Sequence, residues 1–344
     1  MSGNTTPPIY QIKDLVHRYQ DSPVLEIKEL EIPRHTIIGI AGPNGSGKTT
    51  LLKTLAFIDK PWKGRVSFEG KEAAPFAPHV RFQVTYLPQQ PYLMKRSVLE
   101  NITYGLKVRK DPGDHRKKGY EALSMVGLSG NAFADRKWFA LSGGEAQRVA
   151  MAARLVLKPR VLLLDEPTAN VDENSSRLIQ RASLMARERW NTTLLIASHD
   201  LDWLTDICDD IIYLFQGQIT GKGRNNILFG PYQQHPDGIW TKPIGANQQL
   251  VLPCPPSPQS AAVIPSSDMD IRSSDKPSSP GHNTVKGILT NLRIEKFRNT
   301  VVATVLVDGF HFIVDLPEDQ KRSPDLYPGK EVLLSFPPDA VQWR

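Results

Sequence analysis

Uninterrupted apolar runs punctuate the first two thirds of the chain at residues 36–41 (TIIGIA), 161–164 (VLLL) and 193–197 (TLLIA). Polar or turn residues bound each of them. Continuous rather than alternating apolarity predicts strands covered on both faces, hence a largely parallel sheet with helices packed on it. Longer segments of helical pattern separate these runs, so residues 1–222 read as one α/β domain.

After Gly221 the pattern changes. Proline and serine become frequent between Pro253 and Pro280, which predicts linker and loop, so residues 223–282 read as a degenerate β-lobe with a Pro/Ser-rich linker. Order is expected to return near Asn283. Residues 301–307 and 310–316 flank Asp308-Gly309, a pair suited to a type I′ turn because both central positions need positive φ, and they predict a β-hairpin. A further strand is expected at residues 331–336, so residues 283–344 read as a small all-β domain. A faint repeat runs through this third of the chain. Asn226 and Gly230 bracket ILF as Asn283 and Gly287 bracket TVK, and VIPSSDMDI, ending at Ile271, is echoed by SFPPDAVQW, ending at Trp343. Its offsets differ, and it suggests two half-barrels of similar plan, against a plain unstructured lead-in.

Composition narrows the function classes. At 344 residues and 40% hydrophobic content the chain can bury a sizeable core. No apolar stretch approaches the roughly 18–20 residues that cross a bilayer, and MSGNTTPPIY lacks a charged segment followed by an apolar one, so neither export nor a membrane span of its own is expected. Cys208 and Cys254 stand far apart without a metal-ligand spacing, which fits a reducing compartment. The net charge of +6 is scattered rather than massed, so a solvated basic surface is expected and no nucleic-acid partner.

The chemistry begins at GPNGSGKT, residues 42–49, which satisfies G-x-x-x-x-G-K-[ST] directly after a predicted strand and before a helical stretch. Gly42, Gly45 and Gly47 let the backbone curl around phosphate oxygens. With Pro43, Asn44, Ser46 and Thr50 they form a cradle at a helix start whose dipole favours anions. Lys48 is placed to reach the β- and γ-phosphates and the Thr49 hydroxyl to ligate Mg²⁺. Downstream, VLLLDEP ends a strand in Asp165, suited to holding Mg²⁺, and Glu166, suited to polarising an attacking water. His199, at another strand end, is a candidate for bonding the γ-phosphate and orienting that water. Gln89 is a candidate for touching both Mg²⁺ and water, with Gln90 a rival.

A second phosphate-binding signal stands at LSGGE, residues 141–145. Ser142 and Glu145 match a capping box, followed by Val149, Ala152, Ala153 and Val156 as the apolar face of a helix that Pro159 ends. Capping leaves Gly143 and Gly144 unexplained, because each weakens a helix start by about 1 kcal/mol relative to alanine. They point to a ligand approaching that backbone closely. One γ-phosphate is hard to wrap with two helix starts of one chain. Two chains arranged head to tail, the cradle of one facing LSGGE of the other, resolve this.

The cradle, Gln89, LSGGE, Asp165-Glu166, Asp172 and His199, in this order and spacing, resemble the ATP-binding subunit of an ABC transporter over about residues 8–220. The resemblance implies an α/β P-loop NTPase with a helical subdomain at about residues 90–140. It also implies ATP and Mg²⁺ as ligands, an ATP-sandwich homodimer, Tyr19 stacked on adenine with Val24 beside it, and Asp172 at the shared site. TANVD departs from the commoner T-S-A-L-D at Asn170 and Val171, which bears on communication between the two sites. Residues 91–108 stand where the family grips membrane permease subunits, and the tail resembles the accessory TOBE-type β-domains of importers. Their cargoes include oxyanions such as molybdate, sulfate and tungstate, and also iron and polyamines. The wording of residues 51–64 and 91–109 resembles tungstate importer ATPases most. A peripheral place on the inner face of the membrane and an extracytoplasmic oxyanion-binding protein follow from the same resemblance. An exporter ATPase, and a soluble relative acting on DNA or ribosomes, are the alternatives. Arg293, Lys296 and Arg298 are candidates for an oxyanion sensor in the tail, though a solvated strand edge explains them as well.

Overall fold

The apolar runs become neighbouring strands in the computed structural model, which describes every residue except 1–6, 21, 170, 224, 246, 259, 275–279, 296–299 and 317–324. Two units divide the chain, Met1–Ile219 and Thr220–Arg344. In the first, the order is β1 (Tyr10–Tyr19), β2 (Ser22–Ile32), β3 (Ile37–Ala41), α1 (Lys48–Leu55), β4 (Lys63–Phe68), β5 (Lys71–Glu72) and β6 (Val84–Leu87). There follow α2 (Val98–Val108), α3 (His115–Met125), α4 (Gly130–Phe133), α5 (Gly143–Leu155), β7 (Val161–Asp165), α6 (Glu173–Trp190), β8 (Thr193–Ser198), α7 (Leu201–Ile207), β9 (Asp210–Phe215) and β10 (Gln218–Lys222), whose last three residues already belong to the second unit.

A six-stranded sheet runs β10-β9-β3-β8-β7-β6. The ladders joining β9, β3, β8, β7 and β6 are all parallel. Strands β3, β7 and β8 are buried along their whole length, which is the physical content of an unbroken apolar run. The antiparallel sheet β2-β1-β4-β5 lies in the same unit. Its β1 alternates buried and exposed positions, so it has one face on the core and one toward water. Tyr10 anchors that core. Its ring meets Phe68 edge-on at 5.4 Å, its hydroxyl donates to the Leu55 carbonyl at 2.9 Å, and burial raises its pKa. In the expected helical subdomain, α2 begins with a Ser97/Glu100 capping box and α3 with Asp114 as N-cap.

The second unit is all β among its described residues, apart from two short 3₁₀ turns. Its strands are β11 (Asn225–Leu228), β12 (Gln233–Gln234), β13 (Trp240–Ile244), β14 (Gln248–Leu252), β15 (Ala262–Pro265) and β16 (Asp270–Ser273). They continue with β17 (Asn283–Glu295), β18 (Thr300–Val307), β19 (Phe310–Leu316), β20 (Glu331–Phe336) and β21 (Gln342–Trp343). The stretch expected to be linker therefore carries β15, the 3₁₀ turn Ser266–Asp268 and β16. Pro265 closes β15, and Ser266 and Ser267 fall in the turn that follows it. The Asp308-Gly309 hairpin forms with Val307 opposite Phe310 and both turn residues at positive φ.

The faint repeat corresponds to equivalent strands that trade partners. Strand β15 pairs with β11 and β21, while β20 pairs with β17 and β16. Ala262 lies opposite Trp343, and in the matching place Leu334 lies opposite Ile271. Asn226 lies opposite Ile264 and Asn283 opposite Phe336. The two asparagines repeat the same contact. Asn226 accepts from Ile313 N–H at 2.7 Å and donates to its carbonyl at 2.8 Å. Asn283 does the same to Val251, at 2.6 and 2.9 Å. Each side chain thus closes the open backbone edge of an outer strand, β19 or β14.

Candidate active site

Strand β3 ends at Ala41, and the chain turns through Gly42–Gly47 into α1. A Cβ on Gly42 would stand 2.1 Å from the Leu214 carbonyl oxygen, so only glycine lets the turn lie against β9. Gly47 is the N-cap of α1 at φ 103°, and no side chain caps the helix. The first-turn amides of α1 therefore lack a side-chain acceptor, the condition under which a helix start holds an anion. Ser46 is buried with its Oγ unpartnered, Thr50 is buried, and Thr49 is exposed.

Lys48 is 6% exposed. Its Nζ donates to the carbonyls of Gly42 at 2.7 Å and Pro43 at 3.3 Å and stands 3.5 Å from Glu166 Oε1. The cation is thus held over the turn by dipoles and one buried carboxylate. Glu166 follows directly on β7, at φ 45°, with its N–H donating to Ala197 O at 2.8 Å. That positive φ is costly for a residue with a side chain and is typical of a position constrained by its site. Its Oε2 lies 2.9 Å from His199 Nδ1, with Ser198 Oγ–H and His199 N–H at 3.4 Å. Lys48, Glu166 and His199, taken from three separate stretches of sequence, form one cluster. Asp165 is 2% exposed, its Oδ2 accepts from the Tyr86 hydroxyl at 2.8 Å, and its Oδ1 has no partner.

Tyr19 ends β1 half-exposed, its hydroxyl 3.3 Å from Asp59 and its ring 5.1 Å from His17. Such an available ring face suits stacking. Val24 is partly buried on β2, with its carbonyl against Gly47. Gln89 and Gln90 are both exposed just past β6, so burial does not separate the two rivals.

Residues 142–145 stand apart from this cluster. Ser142 and Glu145 form the expected capping box at the start of α5, and Glu145 also pairs with Arg136 at 3.6 Å. Among the described residues, no hydrogen bond or ion pair joins 142–145 to 42–50. The glycine pair divides. A Cβ on Gly144 would meet Ser175 Oγ at 2.7 Å and Asp172 Oδ2 at 2.9 Å, so this glycine exists for packing inside the chain. Packing is thus a reason for this glycine beside the expected approach of a ligand. Gly143 has nothing within 4 Å of the corresponding position and keeps that reading. Asp172 caps α6: Ser175 N–H donates to Oδ1 at 2.9 Å and the Ser175 hydroxyl to Oδ2 at 2.7 Å. These bonds hold its carboxyl below the usual range. Two joints of the site carry no motif and went unread in the sequence, Tyr86 on Asp165 and Gln147, whose amide donates to Pro167 O at 3.1 Å. Asn170, Lys296 and Arg298 lie outside the described residues.

The donor set fits a nucleoside triphosphate with a divalent ion. Uncapped amides and a buried lysine stand ready for phosphate oxygens, and a buried carboxylate oxygen without a partner stands ready for a metal shell.

The family model described as ABC transporter matches residues 25–169. A tungstate uptake system ATP-binding protein from Peptoclostridium acidaminophilum is 37% identical over 209 residues, 60% of this chain and 95% of that protein. An Fe(3+) ions import ATP-binding protein from Photobacterium profundum is 33% identical over 63% of this chain; the match spans 62% of that relative's length. A solved dimeric ATP-binding cassette, bound to ADP and phosphate after hydrolysis, superposes with a TM-score of 0.58 at 27% identity, covering 62% of this chain and 97% of that one.

Proposed function

The chain belongs to the ABC transporter family as an ATP-binding, ATP-hydrolysing subunit, and from that premise we propose that it drives uptake of an oxyanion, tungstate first and molybdate next, through a membrane permease. One observation carries the cargo reading. The tungstate relative is matched over 95% of its length at 37% identity, the iron relative over 62% of its length at 33%. Iron uptake is the second reading, supported by that second relative.

Mg²⁺, when bound, neutralises charge developing on the phosphates. This chain's residues supply the rest. The α1 amides and Lys48 hold the phosphate oxygens, which requires Lys48 to exchange its contact with Glu166 for the nucleotide. Glu166, released from that contact, accepts a proton from the attacking water, and His199 orients the same water from the neighbouring strand end. Tyr19 and Val24 hold the base, Asp165, Thr49 and Gln89 serve the metal, and Ser142 to Glu145, with Asp172, meet the nucleotide of a second copy. The dimeric solved cassette supports that assembly. No described helix is long and apolar enough to cross a membrane; the permease is read as a separate partner, with this subunit on its cytoplasmic side. A separate extracytoplasmic protein delivers the cargo, and the C-terminal unit is read as a TOBE-type accessory domain.

The test is the tungsten, molybdenum and iron content of cells with and without this protein, measured by elemental mass spectrometry at low external supply. A selective fall in tungsten supports the reading. A fall in iron alone moves the cargo to the second reading.

A further inference from the structure

Tyr86 lies on β6, three residues before Gln89 and in parallel register with Leu163, two positions before Asp165. Its hydroxyl reaches across to Asp165 Oδ2 at 2.8 Å. Its backbone carbonyl accepts from Arg154 Nε at 3.2 Å, and Arg154 stands on α5, the helix that Ser142 caps. Both ends of the residue are therefore fixed, one to the helix that starts at LSGGE and the other to the acid that ends β7.

We propose that Tyr86 is a positioning residue for the metal: its hydroxyl locks the Asp165 carboxylate so that Oδ2 is spent on the phenol and Oδ1 is left for the Mg²⁺ shell. The inference rests on the reading of Asp165 as the metal-serving acid. A carboxylate at 2% exposure with a single fixed bond and one free oxygen is what such a role requires. A free carboxylate would turn about its Cβ–Cγ bond, and ordering it would cost binding free energy each time the metal enters. The phenol is suited to the task because its hydroxyl reaches Asp165 from the adjacent strand and donates to one oxygen only. The Asp165 bond is the only side-chain hydrogen bond Tyr86 makes among the described residues.

The test uses the purified full chain with a non-hydrolysable ATP analogue and Mn²⁺ as a spin-active substitute for Mg²⁺. Metal affinity of the complex is read by electron paramagnetic resonance, and analogue affinity is read separately in chelator. Tyr86→Phe keeps the ring and removes only the hydroxyl. It is expected to weaken Mn²⁺ binding about tenfold, the lower end for loss of a bond to a metal ligand, and to leave metal-free analogue affinity within about twofold. Asp165→Ala is expected to weaken Mn²⁺ at least as much, and adding Tyr86→Phe to it should change nothing further. If Asp165→Ala weakens the metal and Tyr86→Phe does not, the positioning role is overturned and the site reading stands. An equal loss of metal-free analogue binding in Tyr86→Phe also overturns it, because the tyrosine then shapes the pocket by packing. No effect of Asp165→Ala overturns both.

Discussion

The two units of this chain use close backbone approach and side-chain bonding for opposite ends. In the first, the groups of the proposed site come in short contiguous words: the turn 42–49, the pair Asp165-Glu166 and the box Ser142–Glu145, each at the end of a strand or the start of a helix. The fold only has to bring strand ends together, and parallel strands with crossover helices do that by construction. In the second unit the Asp308-Gly309 turn is written locally, but the rest of the described structure is not. It is held by pairings between residues far apart, such as Asn226 with Ile313 and Ala262 with Trp343. Chemistry that depends on backbone curvature is written locally, whereas strand exchange is written in matches too sparse to stand out.

The sharpest break in the first unit is Glu166→Gln. It keeps the size of the side chain and removes the proposed proton acceptor, which Lys48 and His199 flank. Turnover is expected to fall by about 10²–10⁴-fold, with ATP retained and a stable ATP-bound dimer trapped, read by phosphate release and by light scattering. The second unit should be silent to this change. Hydrogen exchange across β11 to β21 that matched wild type would confirm that the two kinds of architecture fail independently.

How much of this was legible follows the same division. Residues 36–41, 161–164 and 193–197 read as strands because both their faces are buried, and they form β3, β7 and β8 within a residue or so. The Asp308-Gly309 turn was legible because its φ requirement selects residue types directly. Strands β15 and β16 were not, since Pro- and Ser-rich composition resembles a linker and their partners, β21 and β20, lie about 60 to 80 residues further along. Tyr86 was invisible for a related reason. Its meaning comes from a carboxylate on the adjacent strand, 79 positions away, and nothing in VTYL hints at it.

Within the second unit, the two asparagines hold outer strands of unequal burial. Both close an outer strand, but their surroundings differ: Ile313 is 4% exposed, whereas Val251 is 39% exposed. Removing the Asn226 side chain strands a buried N–H and carbonyl, so Asn226→Ala is expected to cost about 2–4 kcal/mol. Asn283→Ala leaves groups that water can reach and is expected to cost about 1–2 kcal/mol. Denaturant unfolding of the full chain, with hydrogen exchange localising the loss to β19 or β14, tests both values. Equal costs would mean that the repeat is symmetric in energy as well as in plan.

The smallest effects on stability separate the two glycines of LSGGE, and they bear on whether this helix start faces a second copy. Gly144→Ala places a methyl at 2.7 Å from Ser175 Oγ and 2.9 Å from Asp172 Oδ2, so the α6 cap must shift. About 1–2 kcal/mol should be lost, as for other overpacked positions. Gly143→Ala meets nothing within 4 Å and adds a better helix former at the first turn of α5. Stability should hold or rise by a few tenths of a kcal/mol. If a second chain's nucleotide approaches that turn, hydrolysis nonetheless falls while single-chain ATP binding stays at the wild-type value, because the added methyl occupies the approach and not the chain's own cradle. Unchanged hydrolysis in Gly143→Ala, with melting temperature and ATP affinity measured on the same sample, would remove the close approach at this position. The pair would then be one glycine kept for packing and one without a role.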